Sequence, residues 1–153
     1  MRQSKWKRQS GFTMVELLIV AAIIAVLVAV SIPMMNSVLD RARHATDTAN
    51  ERAALGLAKT LYSAESIFTV SASETGTNGA YLYKVDNSVG SLVPWTNSMD
   101  RGTAYGQCRT HDHGDKYLWV QVVDDGSVRL AWAKTPGGTS GISWNTGLCG
   151  HSQ

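Results

Sequence analysis

From position 17 to position 35 the chain reads LLIVAAIIAVLVAVSIPMM, without one ionisable side chain. A helix rising about 1.5 Å per residue needs roughly 20 such residues to cross about 30 Å of hydrocarbon. A small soluble core has no use for an apolar segment of that length, so the run is a membrane segment. Residues 1–11 precede it with Arg2, Lys5, Lys7 and Arg8 and no acid. That basic flank stays on the cytoplasmic side, which leaves the remainder of the chain outside.

A chain of 153 residues has room for about one domain. Its 44% hydrophobic and 17% charged residues argue against wholesale disorder. The formal charge of +2 misleads, because loss of the four leader cations takes it to about −2. The basic balance therefore belongs to a targeting segment. It gives no support to DNA or another surface ligand as a partner of the exported part.

Glu16 is the one charge between the basic flank and the end of the apolar run. A secretory signal, cut after small residues such as Ala29 or Ser31, has a shorter apolar core of about 7–15 residues and no carboxylate at its start. A plain signal anchor does not need Glu16 either. A carboxylate beside hydrocarbon is costly unless a partner offsets it. Cleavage between Gly11 and Phe12 would create an ammonium group near the same membrane edge. One subunit's amine would then neutralise its neighbour's Glu16, and the pair would fix the register of packed helices as a buried polar residue does in a coiled coil.

The residues Gly11-Phe12-Thr13-Met14-Val15-Glu16, followed by LLIVAAIIAVL, closely resemble the class III processing site of type IV prepilins and type II secretion pseudopilins. The resemblance covers about residues 7–68 and does not extend into the C-terminal half. It implies cleavage after Gly11 by prepilin peptidase and N-methylation of the new terminus at Phe12. It also implies subunit assembly through Phe12, Glu16 and Pro33. Pro33 falls where many pilins have a helix-kinking proline. Removal of one backbone hydrogen bond predicts a bend or local melting there, or else Pro33 marks the membrane exit.

Beyond the apolar run Val38, Ala42, Ala45, Ala49, Ala53, Leu57, Leu61, Ala64 and Phe68 recur at spacings of three or four. They predict one helix over 12–68, about 85 Å long. Its transmembrane, filament-core half is 12–35 and its amphipathic half 36–70. Asp40, Arg41, Arg43, Asp47, Glu51, Arg52, Lys59 and Glu65 read as a solvated charged face, with Asp47 and Glu51 an unfavourable pair.

Residues 71–153 form the predicted globular head. Residues 71–79, SASETGTNG, read as a loop, and a strand is expected over 81–85. No regular element is assigned to 87–114. The stretch 117–134 predicts a β-hairpin whose Asp125-Gly126 supplies a two-residue type I′ turn. That register sets Val123 opposite Val128, Gln121 opposite Leu130 and Trp119 opposite Trp132. The Leu118, Val120 and Val122 face packs on the helix, and the tryptophan pair lies partly exposed or under a C-terminal loop.

Cys108 and Cys149 are the chain's two cysteines. An exported location permits their oxidation, and a bridge would resemble the disulfide-bounded C-terminal region of many pilins. Two reduced thiols are the alternative. His111, Asp112, His113 and Asp115 form the sequence HDHGD, in which His111, His113 and Asp115 are weak candidate metal ligands. No second cluster completes the set in sequence, and neither His44 nor His151 adds a recognisable spacing. A solvated loop with no metal and no cofactor is the expectation.

No nucleophile elbow, P-loop or zinc-protease motif occurs, so nothing points to an enzyme. The tryptophans at 95, 119, 132 and 144 read as core before they read as a stacking surface. The fold expected is α+β: a long N-terminal helix packed against a small antiparallel sheet. The resemblance implies a structural subunit of a type IV pilus filament, a helical homo-oligomer at the cell surface. Membrane lipid surrounds it before assembly, and the pilus assembly machinery is its other partner. A minor pilin or a pseudopilin of secretion or DNA uptake would share this N-terminus; a membrane-anchored binding protein would use the helix as an anchor alone.

Overall fold

The computed structural model describes residues 11–86, 89–96, 99–114, 116–134, 142–145 and 148–149. One helix, α1 (Met14–Ser63), precedes four strands, β1 (Tyr81–Asp86), β2 (Val89–Pro94), β3 (Tyr117–Val122) and β4 (Val128–Ala133). The fold is α+β, with the long helix packed on a small antiparallel sheet. Its chain divides into two units, Met1–Leu39 and Asp40–Gln153.

In the first unit every large apolar side chain of α1 is exposed, from Met14 at 86% to Leu39 at 44%. This is the described helix long and apolar enough to cross a membrane. α1 continues through Pro33 without a break, so local melting there is not observed. Ser31 Oγ donates to Leu27 O at 2.7 Å and Ser37 Oγ to Met34 O at 2.9 Å, so these hydroxyls are satisfied within the helix.

α1 ends five residues before the expected Phe68. Glu65 adopts φ 51°, its N–H bonds to Tyr62 O, and Ser66 N–H bonds back to Leu61 O at 2.9 Å. That is a Schellman stop built on a residue other than glycine, which hid it from the sequence pattern.

In the second unit the strand order is β2-β1-β3-β4, all antiparallel. β1 lies where the alternation places it. β2 falls in the stretch assigned no element, since Gly90, Ser91 and Pro94 are poor strand formers. It is an edge strand, where a terminal proline is tolerated.

The β3–β4 hairpin has a different turn from the one expected. Gly126 N–H bonds to Val123 O, Val123 N–H bonds to Ser127 O, and Gly126 has φ 83° while Asp125 does not enter the left-handed region. Together these make a type I turn closed by a glycine bulge rather than a type I′ turn. Asp125 Oδ1 accepts Ser127 N–H at 2.8 Å, which favours this arrangement. The extra loop residue moves the register by one, pairing Val122 with Val128, Val120 with Leu130 and Leu118 with Trp132.

A one-residue slip changes the face of every β4 side chain. Trp119 and Trp132 accordingly lie on opposite faces instead of facing each other. Leu118, Val120 and Val122 do pack on the helix, against Ala54 and Ala58, joined by Tyr81, Tyr83, Leu130, Trp132 and Leu148. Small helix residues allow the sheet this close, and each large apolar side chain sealed there contributes about 1.5–3 kcal/mol. On the opposite face Leu82, Trp119, Ala131 and Ile142 form a second core, with Trp95 and Trp144 packed on it.

The helix face that packs also differs from expectation. Ala42, Ala45, Ala49 and Ala53 are exposed, whereas Asp47, Glu51, Ala54 and Ala58 are buried. The regular alanine stripe is thus not the face that meets the sheet.

Candidate functional site

The N-terminus of α1 is set by local chemistry. Thr13 N–H donates to Glu16 Oε2 at 2.7 Å, Thr13 Oγ1 donates to the same oxygen at 2.9 Å, and Glu16 N–H donates to Thr13 Oγ1 at 3.3 Å. This reciprocal capping box satisfies two amides at the helix start. The T-x-x-E pattern at Thr13 and Glu16 is the signal in the sequence for this cap. Gly11, Phe12 and Glu16 therefore sit within one short segment at the mouth of the helix. Gly11 has open space around it, and Phe12 is 82% exposed. The segment is exposed, and its carboxylate is already oriented.

A second constellation lies in the head. Asp47 and Glu51, one turn apart on α1, are 0% and 1% exposed, not part of a solvated face. Asp47 accepts Cys108 N–H at 2.8 Å, Gln107 N–H at 3.0 Å and His113 Nδ1 at 2.8 Å. Glu51 accepts Trp132 Nε1–H at 2.9 Å and Cys149 N–H at 2.8 Å. Each carboxylate gathers its own N–H donors, which offsets the repulsion that spacing alone predicts. Burial opposes ionisation of Asp47, but the His113 bond and the amides of Cys108 and Gln107 outweigh it and hold the carboxyl below its ordinary range.

His113 is buried, stacked on Trp132 with ring centroids 4.6 Å apart, so the HDHGD segment is not wholly a solvated loop. His111 is half-buried, and its ring centroid lies 5.6 Å from that of His44. Cys108 and Cys149 are brought together as free thiols. His111 Nδ1 lies 3.5 Å from the sulfur of each. Asp115 and His151 lie outside the described residues. Cys108 stands three residues before His111, whereas His44, Asp47 and Cys149 reach this pair of histidines from far along the chain, a proximity no local spacing could announce.

Residues 6–32 match the family described as the prokaryotic N-terminal methylation motif. With Gly11, Phe12, Glu16 and the start of the apolar helix inside one motif, the chain has a prepilin-type N-terminus and fits a membrane-anchored precursor. The match covers the N-terminal segment alone and supports a type IV pilin-like, prepilin-type start to the chain. The motif implies processing by prepilin peptidase and handling by the pilus assembly machinery. Comparison with curated proteins and with solved structures returns no match.

Proposed function

We propose that the chain is a pilin, a structural subunit of an extracellular type IV pilus-type filament. The observation that carries this reading is the exposure of the apolar side chains from Phe12 through the first part of α1 to Leu39, on a chain with a prepilin motif. A contiguous apolar surface of that extent requires lipid or protein against it. Lipid serves before assembly, with the basic leader cytoplasmic and the head outside. Neighbouring helices serve afterwards, so one surface supports both states.

In this reading the leader 1–11 is removed after Gly11, and Phe12 becomes the methylated N-terminus. Its ammonium group pairs with Glu16 of an adjacent subunit, exchanging the local Thr13 contacts for a charged partner. That exchange sets the axial register as helices pack. The exposed alanines of the outer half of α1 permit close approach between helices.

Mass spectrometry of the N-terminus, on protein sheared from cells and on protein left in membranes, tests the reading. A chain starting at methylated Phe12 and enriched in sheared fibres is expected. High abundance there assigns a major subunit; trace abundance assigns a minor pilin or a pseudopilin. An intact Met1 or a cut near Ser31 overturns the proposal.

A further inference from the structure

The geometry points to a thiophilic divalent cation, of the zinc class, bound by Cys108, Cys149 and His111, with His44 completing a tetrahedron. At a tetrahedral zinc, Zn–S of about 2.3 Å and Zn–N of about 2.0–2.1 Å place sulfur and nitrogen about 3.6 Å apart. His111 Nδ1 lies 3.5 Å from Cys108 Sγ and 3.5 Å from Cys149 Sγ. A disulfide has no need of an imidazole nitrogen equidistant from both sulfurs. His44, His111 and Cys149 bring ligand atoms within 4.8 Å of one another, as do Cys108, His113 and Cys149.

His44 is the fourth ligand because His113 is otherwise engaged. Its Nδ1 lies 2.8 Å from the Asp47 carboxylate, and its ring is stacked on Trp132. It walls the site and orients Asp47. His44 projects from α1 one turn before Asp47, with Thr48 Oγ1 3.5 Å from its Nδ1.

The surroundings fit a built site. Asp47 holds the backbone N–H of Cys108 and Glu51 holds that of Cys149, so two buried carboxylates on one helix position both thiols. Such outer partners commonly fix ligand orientation. Cys108 is 2% exposed, while Cys149 and His111 are half-buried, which leaves a route to solvent on one side. The S₂N₂ donor set suits Zn²⁺ over Ca²⁺ or Mg²⁺, which take oxygen ligands. A bound cation would fasten the segments carrying Cys108 and Cys149 to α1, in place of a covalent bond.

The test uses full-length protein recovered from cells without reductant or chelator, its zinc content and thiol reactivity measured together. Expected is about one zinc per chain, with both thiols blocked to alkylation until a chelator is added. Thiols released by reductant alone indicate a disulfide and overturn the proposal. Metal-free protein titrated with Co²⁺ should show thiolate-to-cobalt charge-transfer absorption that Zn²⁺ abolishes; absence of that absorption also overturns it. This spectrum on the unmutated chain stands even if variants fold poorly. Cys108→Ser and Cys149→Ser should each diminish the band, and His111→Ala and His44→Ala should each weaken Co²⁺ binding at least tenfold. Unchanged affinity in His44→Ala overturns its place in the site.

Discussion

Asp47 Oδ2 and His113 Nδ1, 66 positions apart in the chain, lie 2.8 Å from each other with both side chains sealed from solvent. The pair joins α1 to the loop before β3. Asp47 also accepts the Gln107 and Cys108 amides, so its removal takes this acceptor from three donors, two of them on the buried residues Cys108 and His113. Breaking a buried pair by removing one partner costs about 3–5 kcal/mol. Asp47→Ala should lower head stability by that order. Asp47→Asn, which keeps one acceptor oxygen, should cost less. Thermal unfolding in detergent, followed by tryptophan fluorescence, checks this because Trp132 stacks on His113. A melting point unchanged in Asp47→Ala would mean that the pair contributes nothing net.

Tyr105 predicts an alkaline limit to stability. Its hydroxyl donates to Tyr83 O at 2.6 Å and accepts Leu118 N–H at 3.2 Å. Burial, aided by nearby Tyr83 and Asp47 and opposed by the Leu118 amide, raises its pKa well above the ordinary tyrosine value. The unfolded chain ionises first, near pH 10. The contribution of neutral Tyr105 is thus complete below about pH 10 and lost at about 1.4 kcal/mol per pH unit as pH rises towards the folded value. Tyr105→Phe should flatten that decline between about pH 9 and pH 11 while lowering neutral-pH stability by about 1 kcal/mol. An equally steep decline in the variant would assign the alkaline limit elsewhere.

Two glycines should respond to alanine with opposite signs. Gly126 has φ 83°, and a Cβ there would meet Tyr62 Cε1 at 2.9 Å. The left-handed backbone alone costs an alanine roughly 1–2 kcal/mol, and the nearby ring adds to it. Gly56, inside α1, has nothing within 4 Å of the corresponding position. Gly56→Ala should therefore stabilise by up to about 1 kcal/mol. Thermal shifts of the same sign in both variants would contradict the hairpin geometry.

What the sequence disclosed follows from the range of each interaction. The apolar run, the 117–134 hairpin and the helix-facing Leu118, Val120 and Val122 depend on local periodicity, and all three are present. The hairpin register depends on whether Asp125 accepts a positive φ, and Asp-Gly pairs serve both turn types. β2 owes its existence to β1, since its own residues are weak strand formers. The burial of Asp47 and Glu51 is the deepest departure. Carboxylates on a helix read as solvated until their donors, Gln107, Cys108, Trp132, His113 and Cys149, arrive through the tertiary fold. Around His111, Cys108 is a near neighbour in sequence, while His44 and Cys149 are likewise brought in by the tertiary fold. At the N-terminus both the motif and the capping role of Thr13 are local, and so both are legible in the sequence.

Glu16 is the residue on which the proposed filament depends, and its local bonds allow two roles to be separated. In the described chain it accepts Thr13 N–H and Oγ1–H, which starts the helix. In the proposed assembly its negative charge meets the Phe12 ammonium group of a neighbour. Glu16→Gln keeps an oxygen for Thr13 and removes the charge, so the helix start should persist while the intersubunit pair is lost. The precursor should still be cut after Gly11, carry methylated Phe12 and remain in the membrane, and the yield of sheared filaments should fall at least tenfold. Thr13→Val tests the other role: it removes the hydroxyl from the cap but leaves the charge, and filament yield should change far less. Immunoblots of sheared and membrane fractions distinguish the two. If Glu16→Gln assembles as well as the unmutated chain while Thr13→Val does not, Glu16 serves the helix cap and the register-setting ion pair is wrong.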